Sequence, residues 1–254
     1  MHFLLTRFSP WLVGAAALLA SQWTWLHPRD YPWALGAVLA AYIAASISLG
    51  LKRLGYKDLA AKMIMPGFAF ASIVLASLMA ERVEERMLIT ILLTVIPLYS
   101  LELLYLLARQ PSRYPVNGLS RLNLALVPLS AYCIAIGLVG MQIFIRWPDW
   151  ATLLSFIALG AAVARITEHP TVGRAASLRW IAFGAVIGLH VGLLAIVLPV
   201  GLEVIGSLAA LAFAWPLRAR RYSYEPKPPR RLALIEGTGA TVFFIAILLV
   251  SRWA

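Results

Sequence analysis

The amino-acid sequence predicts an all-α fold, a polytopic bundle of about nine transmembrane helices with a cytoplasmic N-terminus and an external C-terminus. Three observations carry that expectation. The 254 residues are 61% hydrophobic and 13% charged, against about 45–50% apolar and about 25% charged in soluble domains. The apolar residues gather into blocks close to the ~20 residues that a helix needs to cross a hydrocarbon core of ~30 Å. The basic residues fall between those blocks, not along one periodic face.

The first block, 9–26, follows a basic start. MHFLLTRFSPWLVGAAALLASQW has the outline of a signal peptide, but no small-x-small cleavage site precedes the next polar residues, so it reads as a retained span. Further spans follow at 33–51, 63–80, 87–107 and 122–145, and a shorter one at 150–164. From Leu178 to Leu217 the chain stays apolar. A single helix of that length would reach about 60 Å, twice the core thickness. It must therefore fold back, and Pro199-Val200-Gly201 supplies the breakers, giving spans 178–198 and 200–217. The last span is 232–251. No linker is long enough to separate domains, so 1–254 reads as a single transmembrane domain.

Orientation follows from Lys and Arg, which are retained on the cytoplasmic side. With nine spans, the inside segments hold Arg7; Lys52, Arg53, Lys57 and Lys62; Arg109, Arg113 and Arg121; Arg165, Arg174 and Arg179; and six residues of PLRARRYSYEPKPPRR, which is 17 of 22 basic residues. Removing a middle span would send later basic connections outside, so the charge pattern supports number and direction together. The expected location is a plasma membrane, of the bacterial inner-membrane kind.

The net charge of +11 would in a soluble domain raise nucleic-acid binding. Here it is largely the sorting signal. PLRARRYSYEPKPPRR reads as the last and longest cytoplasmic connection, held extended by Pro226, Pro228 and Pro229. Its Arg218, Arg220, Arg221, Lys227, Arg230 and Arg231 are placed to meet anionic lipid head groups. Tyr222 and Tyr224 are too few for a base-stacking platform, so nucleic acid is not an expected partner.

Ionisable groups inside spans are costly and are functional candidates by default. Glu102 lies in IPLYSLELLYLL, with Tyr99 three residues before it and Tyr105 three after. Helical spacing turns these toward one face, where a tyrosine hydroxyl can bond the carboxyl, and Pro97 upstream removes a backbone donor. The group is either a proton-coupled or substrate-binding carboxyl, or a hydrogen bond tying two helices together. His190 sits mid-span in GAVIGLHVG. Gly184, Gly188 and Gly192 recur every four residues as a helix-packing seam. Two positions from a seam glycine is a rotation of about 200°, so His190 faces elsewhere: a cavity, a pigment or quinone-like ligand, or a hydrogen bond within the bundle.

Glu203 and Glu236 read as carboxylates near helix starts, and Asn123 and Gln142 as capping or bridging amides. Glu84 and Glu85 belong to a short mixed-charge connection whose charges can pair among themselves. Asp30, Asp58 and Asp149 all lie in connections, and Cys133 is the one cysteine, so no metal site and no disulfide is expected within the chain. There is no H-E-x-x-H, G-x-S-x-G or phosphate-binding glycine loop, and the sequence leaves any cofactor unknown. Three classes of function remain, in this order: a non-enzymatic subunit or accessory factor of a membrane complex, partnered by other subunits or by a second copy; a transporter or lipid-translocating protein using Glu102; and an intramembrane enzyme on lipid-linked substrates using Glu102 or His190 as acid or base.

Overall fold

The computed structural model describes residues 2–167, 174–198, 200–222 and 230–250. Among them the fold is all-α: α1 (His2–Leu26), α2 (Tyr31–Ser77), α3 (Val83–Arg109), α4 (Gly118–Ile145), α5 (Asp149–Thr167), α6 (Arg174–Val197), α7 (Leu202–Tyr222) and α8 (Arg230–Val250). Single 3-10 turns, each begun by a proline, lead into α2 and follow α3. Five helical stretches are long and apolar enough to cross a membrane: Pro28–Ser77, Val83–Arg109, Gly118–Ile145, Asp149–Thr167 and Ala175–Val197. Shorter apolar helices lie at Leu202–Pro216 and Leu234–Ile247. The chain is a multi-pass integral membrane protein.

The 47 residues of α2 would make a rod of about 70 Å if straight. They do not. Gly55 has φ 74° and ψ 167°, a conformation open essentially to glycine alone, and the helix turns back there. The Tyr31 hydroxyl donates to the Val74 carbonyl and lies 2.8 Å from Ser77 Oγ. A Cβ on Gly67 would stand 3.6 Å from the Tyr42 ring, and one on Gly50 would stand 2.5 Å from Leu59. These pairs close in step on Gly55, so arms 31–54 and 56–77 form an antiparallel hairpin. The expected spans 33–51 and 63–80 are the bodies of these arms. The expected connection between them, 52–62, is not a loop: helix continues on both sides of a single residue, because Lys, Arg and Leu are good helix formers even where hydropathy falls.

The chain divides into two compact units, Met1–Leu126 and Val127–Ala254, with the boundary inside α4. In the first unit α1, α3 and both arms of α2 pack on one another. Their shared core includes Val13, Tyr42, Leu49, Leu59, Leu104, Tyr105 and Leu119. Helices consecutive in the chain run antiparallel, which brings the Gly55 bend, the end of α3 and the start of α4 to the same end, where Gly50 lies beside Leu104 and Leu103 beside Gly118.

In the second unit the most extensive packing is α5 on α6, with α7 against α6 and α8. A Cβ on Gly160 would overlap the Gly184 carbonyl, and one on Gly188 would overlap the Phe156 carbonyl. Only hydrogen fits at these points, and the two backbones lie in direct contact. The expected break between spans near 199 is present: α6 ends at Val197 and α7 begins at Leu202. The expectation of an extended segment from 218 onward is corrected. Arg218, Arg220 and Arg221 continue α7 to Tyr222, and Arg230 and Arg231 open α8. Arginine has high helix propensity, and the prolines expected to keep this segment extended begin only at Pro226. Lys227 and those prolines lie outside the described residues.

Candidate functional site: an ion pair between α1 and α3

A buried seam between α1 and α3 determines where Glu102 can find a partner. Leu98 fills the space beside Gly14, approaching to 2.8 Å of where a Cβ would lie. At one end of the seam the Trp25 indole donates to Thr90 Oγ1 at 3.2 Å, and Arg86 lies 5.2 Å above the Trp25 ring. At the other end, two turns back along α1 from Gly14 and one turn on along α3 from Leu98, Arg7 meets Glu102.

Arg7 Nη1 straddles the carboxylate, 2.7 Å from Oε1 and 2.9 Å from Oε2. The side chains are 40% and 22% exposed, so the pair sits at the edge of the packed interior and not at its centre. The same guanidinium lies 4.8 Å over the ring of Tyr105, which is 1% exposed. A guanidinium is permanently charged, and the ring face beneath it adds a favourable cation–π contact.

The sequence expectation grouped Glu102 with Tyr99 and Tyr105. Tyr105 is at the site, but through its ring face under Arg7. Tyr99 is 49% exposed on the outside of α3. No hydrogen bond joins either tyrosine hydroxyl to Glu102 among the described residues. Two residues back along α3, Ser100 and Tyr42 of α2 form a fully buried polar contact at 3.2 Å, and the Ser100 hydroxyl also donates to the Pro97 carbonyl. Sequence reasoning takes Arg7 only as a cytoplasmic basic residue, and it singles out neither Tyr42 nor Ser100. The signal for Arg7 was present: it is the first basic residue of the chain, within a helix, and a carboxylate inside a span calls for a cation on another helix.

His190 is exposed on α6, and its Nδ1 lies 2.7 Å from the Val186 carbonyl one turn earlier. Gly184, Gly188 and Gly192 are buried against α5, where Gly192 meets Leu153 and Phe156. The histidine thus points away from the seam. At the start of α6, Trp180 is 8% exposed and carries Arg220 of α7 over its ring at 4.6 Å. Arg231 is exposed at the start of α8.

The remaining polar candidates have local duties. Glu85 Oε2 accepts the backbone N–H groups of Glu81 and Arg82 at 3.1 and 3.3 Å, capping α3. Gln142 donates to Asp149 at 2.7 Å, joining the end of α4 to the start of α5. Asn123 donates to the Lys62 carbonyl at 3.1 Å and links α4 to α2. Glu203 lies in the first turn of α7. Among the described residues no three His, Cys, Asp or Glu side chains are gathered where they could hold a metal ion.

The arrangement joins two helices through one charge pair, and among the described residues Arg7 is the one ionic partner of the carboxylate. No family model matches the chain, and neither a curated protein nor a solved structure matches it.

Proposed function

We propose that the protein is a non-enzymatic subunit or accessory factor of a membrane complex. It crosses a bacterial inner membrane nine times, with the N-terminus cytoplasmic and the C-terminus outside. The observation that carries this reading is the use to which the embedded polar groups are put. Glu102 is committed to Arg7, His190 to its own helix, Tyr42 to Ser100, and the glycines of α6 to backbone contact with α5. Apart from the His190 bond, which is internal to α6, these are devices for holding helices together. Nine crossings follow from treating the arms of α2 as two spans and α1, α7 and α8 as one each. The basic residues Arg218, Arg220, Arg221, Lys227, Arg230 and Arg231 then lie on the cytoplasmic side, in contact with anionic head groups.

Extraction in a mild detergent followed by native mass spectrometry tests the proposal. A second polypeptide retained at fixed stoichiometry is the expected result. A clean monomer that itself turns over a substrate would overturn it. The transport reading rests on the same carboxylate, since a pair at the edge of the packed interior is reachable from one membrane face. Flux in liposomes that is lost in Glu102→Gln would favour transport over assembly.

A further inference from the structure

The first unit is electrically one-sided. The end that carries the Gly55 bend, the end of α3 and the start of α4 holds eight basic residues against two acidic ones, and one of those two, Glu102, is taken by Arg7. The opposite end, at 29–30 and 81–86, holds three basic residues against four acidic ones. Positive-inside sorting accounts for the sign of this difference but asks nothing of geometry. The bend has a geometry of its own. Lys52 and Arg53 close the first arm and Lys57 opens the second, all within one helical turn of Gly55 and all exposed. No carboxylate pairs with any of the three among the described residues. Tyr56, between them, is 77% exposed, and Leu51 is 40% exposed beside Lys52.

Cations next to an exposed ring and an exposed aliphatic chain suit a ligand that is anionic at one end and apolar at the other. A soluble anion would leave Leu51 and Tyr56 without a role, and a nucleic acid would find no aromatic platform at a single exposed ring. The bend must also lie at head-group depth, because both arms enter the hydrocarbon from it, and tyrosine is enriched at that depth. We propose that the Gly55 bend is a binding site for anionic phospholipid. Lys52, Arg53 and Lys57 hold the phosphate, while Tyr56 and Leu51 lie along the glycerol and upper acyl chain. The site is distinct from the basic residues at the end of α7 and the start of α8, and it does not depend on the subunit reading.

The test uses the full-length protein in detergent. It is titrated with phosphatidylglycerol or phosphatidylcholine and read by native mass spectrometry. Phosphatidylglycerol is expected to bind at least about tenfold more tightly. The preference should shrink when salt rises from about 0.05 M to about 0.5 M, as the charges are screened. The triple variant Lys52→Gln/Arg53→Gln/Lys57→Gln should lose about a hundredfold in affinity for phosphatidylglycerol. The charge-preserving Lys52→Arg/Arg53→Lys/Lys57→Arg should keep it, and Arg29→Gln at the opposite end should change nothing. Should the triple Gln variant fail to fold, the single variants Lys52→Gln, Arg53→Gln and Lys57→Gln decide, each expected to lose about fivefold in affinity for phosphatidylglycerol; unchanged affinity in all three would overturn the proposal. Equal binding of the two lipids, or a preference untouched by salt, would overturn the proposal. So would displacement by inorganic phosphate at constant ionic strength, which would mark a soluble-anion site instead.

Discussion

The Tyr31 hydroxyl lies 2.8 Å from Ser77 Oγ, across 46 residues of what is nominally one helix. The two ends of α2 therefore meet, and the residue that lets them meet is Gly55. An L side chain at φ 74°, ψ 167° is strained whatever the space around it, and the space here is open.

Gly55→Ala is accordingly expected to destabilise by about 1–3 kcal/mol through backbone conformation alone. Gly36→Ala, on the same helix and equally uncrowded but with ordinary helical dihedrals, should be neutral or stabilising by up to about 1 kcal/mol. Thermal unfolding in detergent, followed by tryptophan fluorescence, reads both. Equal effects at the two positions would argue against a strained bend.

The seam between α5 and α6 ranks its glycines. A Cβ on Gly188 meets backbone, which cannot swing aside, so Gly188→Ala should cost about 3 kcal/mol or more. At Gly192 a Cβ would lie 3.0 Å from the end of the Leu153 side chain and 3.1 Å from Phe156 Cβ, contacts that a shift of a few tenths of an ångström relieves, and the cost there should stay near 1 kcal/mol. Gly239→Ala meets nothing within 4 Å and serves as the control in the same melting experiment.

The Arg7 and Glu102 pair predicts a non-additive cycle. Arg7→Met leaves a carboxylate at the α1–α3 contact without its cation, and Glu102→Leu leaves the cation without its carboxylate. The double variant should be more stable than the sum of the single effects allows, by a coupling of about 1–2 kcal/mol. The value stays modest because both side chains keep some exposure. Additive effects would mean the contact contributes nothing to holding α1 on α3.

Topology is open to direct measurement. On a Cys133→Ser background, Tyr56→Cys and Arg113→Cys should react with a membrane-impermeant maleimide only after the cytoplasmic face is opened. Glu84→Cys should react in intact cells. Tyr56 and Arg113 labelled from opposite faces would contradict the antiparallel packing of the first unit.

The helical bodies were legible in the sequence because apolar composition is a local property: within the described residues, each apolar block from 9–26 to 232–251 lies mostly in a helix or in an arm of α2, and five of the helical stretches are long and apolar enough to cross a membrane. The positions of Gly184, Gly188 and Gly192 were legible for the same reason, since a four-residue recurrence is set by helical geometry. What the chain did between 52 and 62 was not. Charged residues mark where a helix leaves the hydrocarbon, and hydropathy cannot tell a loop from a helix that bends at one residue. The partner of Glu102 was hidden for a different reason. Spacing along α3 shows only Tyr99 and Tyr105, whereas Arg7 lies 95 residues away and comes near only when α1 packs. Likewise His190 was placed on the correct side of α6 by rotation alone, but rotation does not show that its ring bonds back to Val186.

The one-residue bend of α2 also decides how the region can be handled. Proteases and inserted tags need a stretch of backbone that can be drawn out into extended form, usually at an exposed loop tip. Between Leu51 and Lys62 the only non-helical residue is Gly55, so an insertion there would unwind a turn of one arm and shift its register against the other. The segment 114–117 between α3 and α4, which is already non-helical and largely exposed, is the better place to cut or to label.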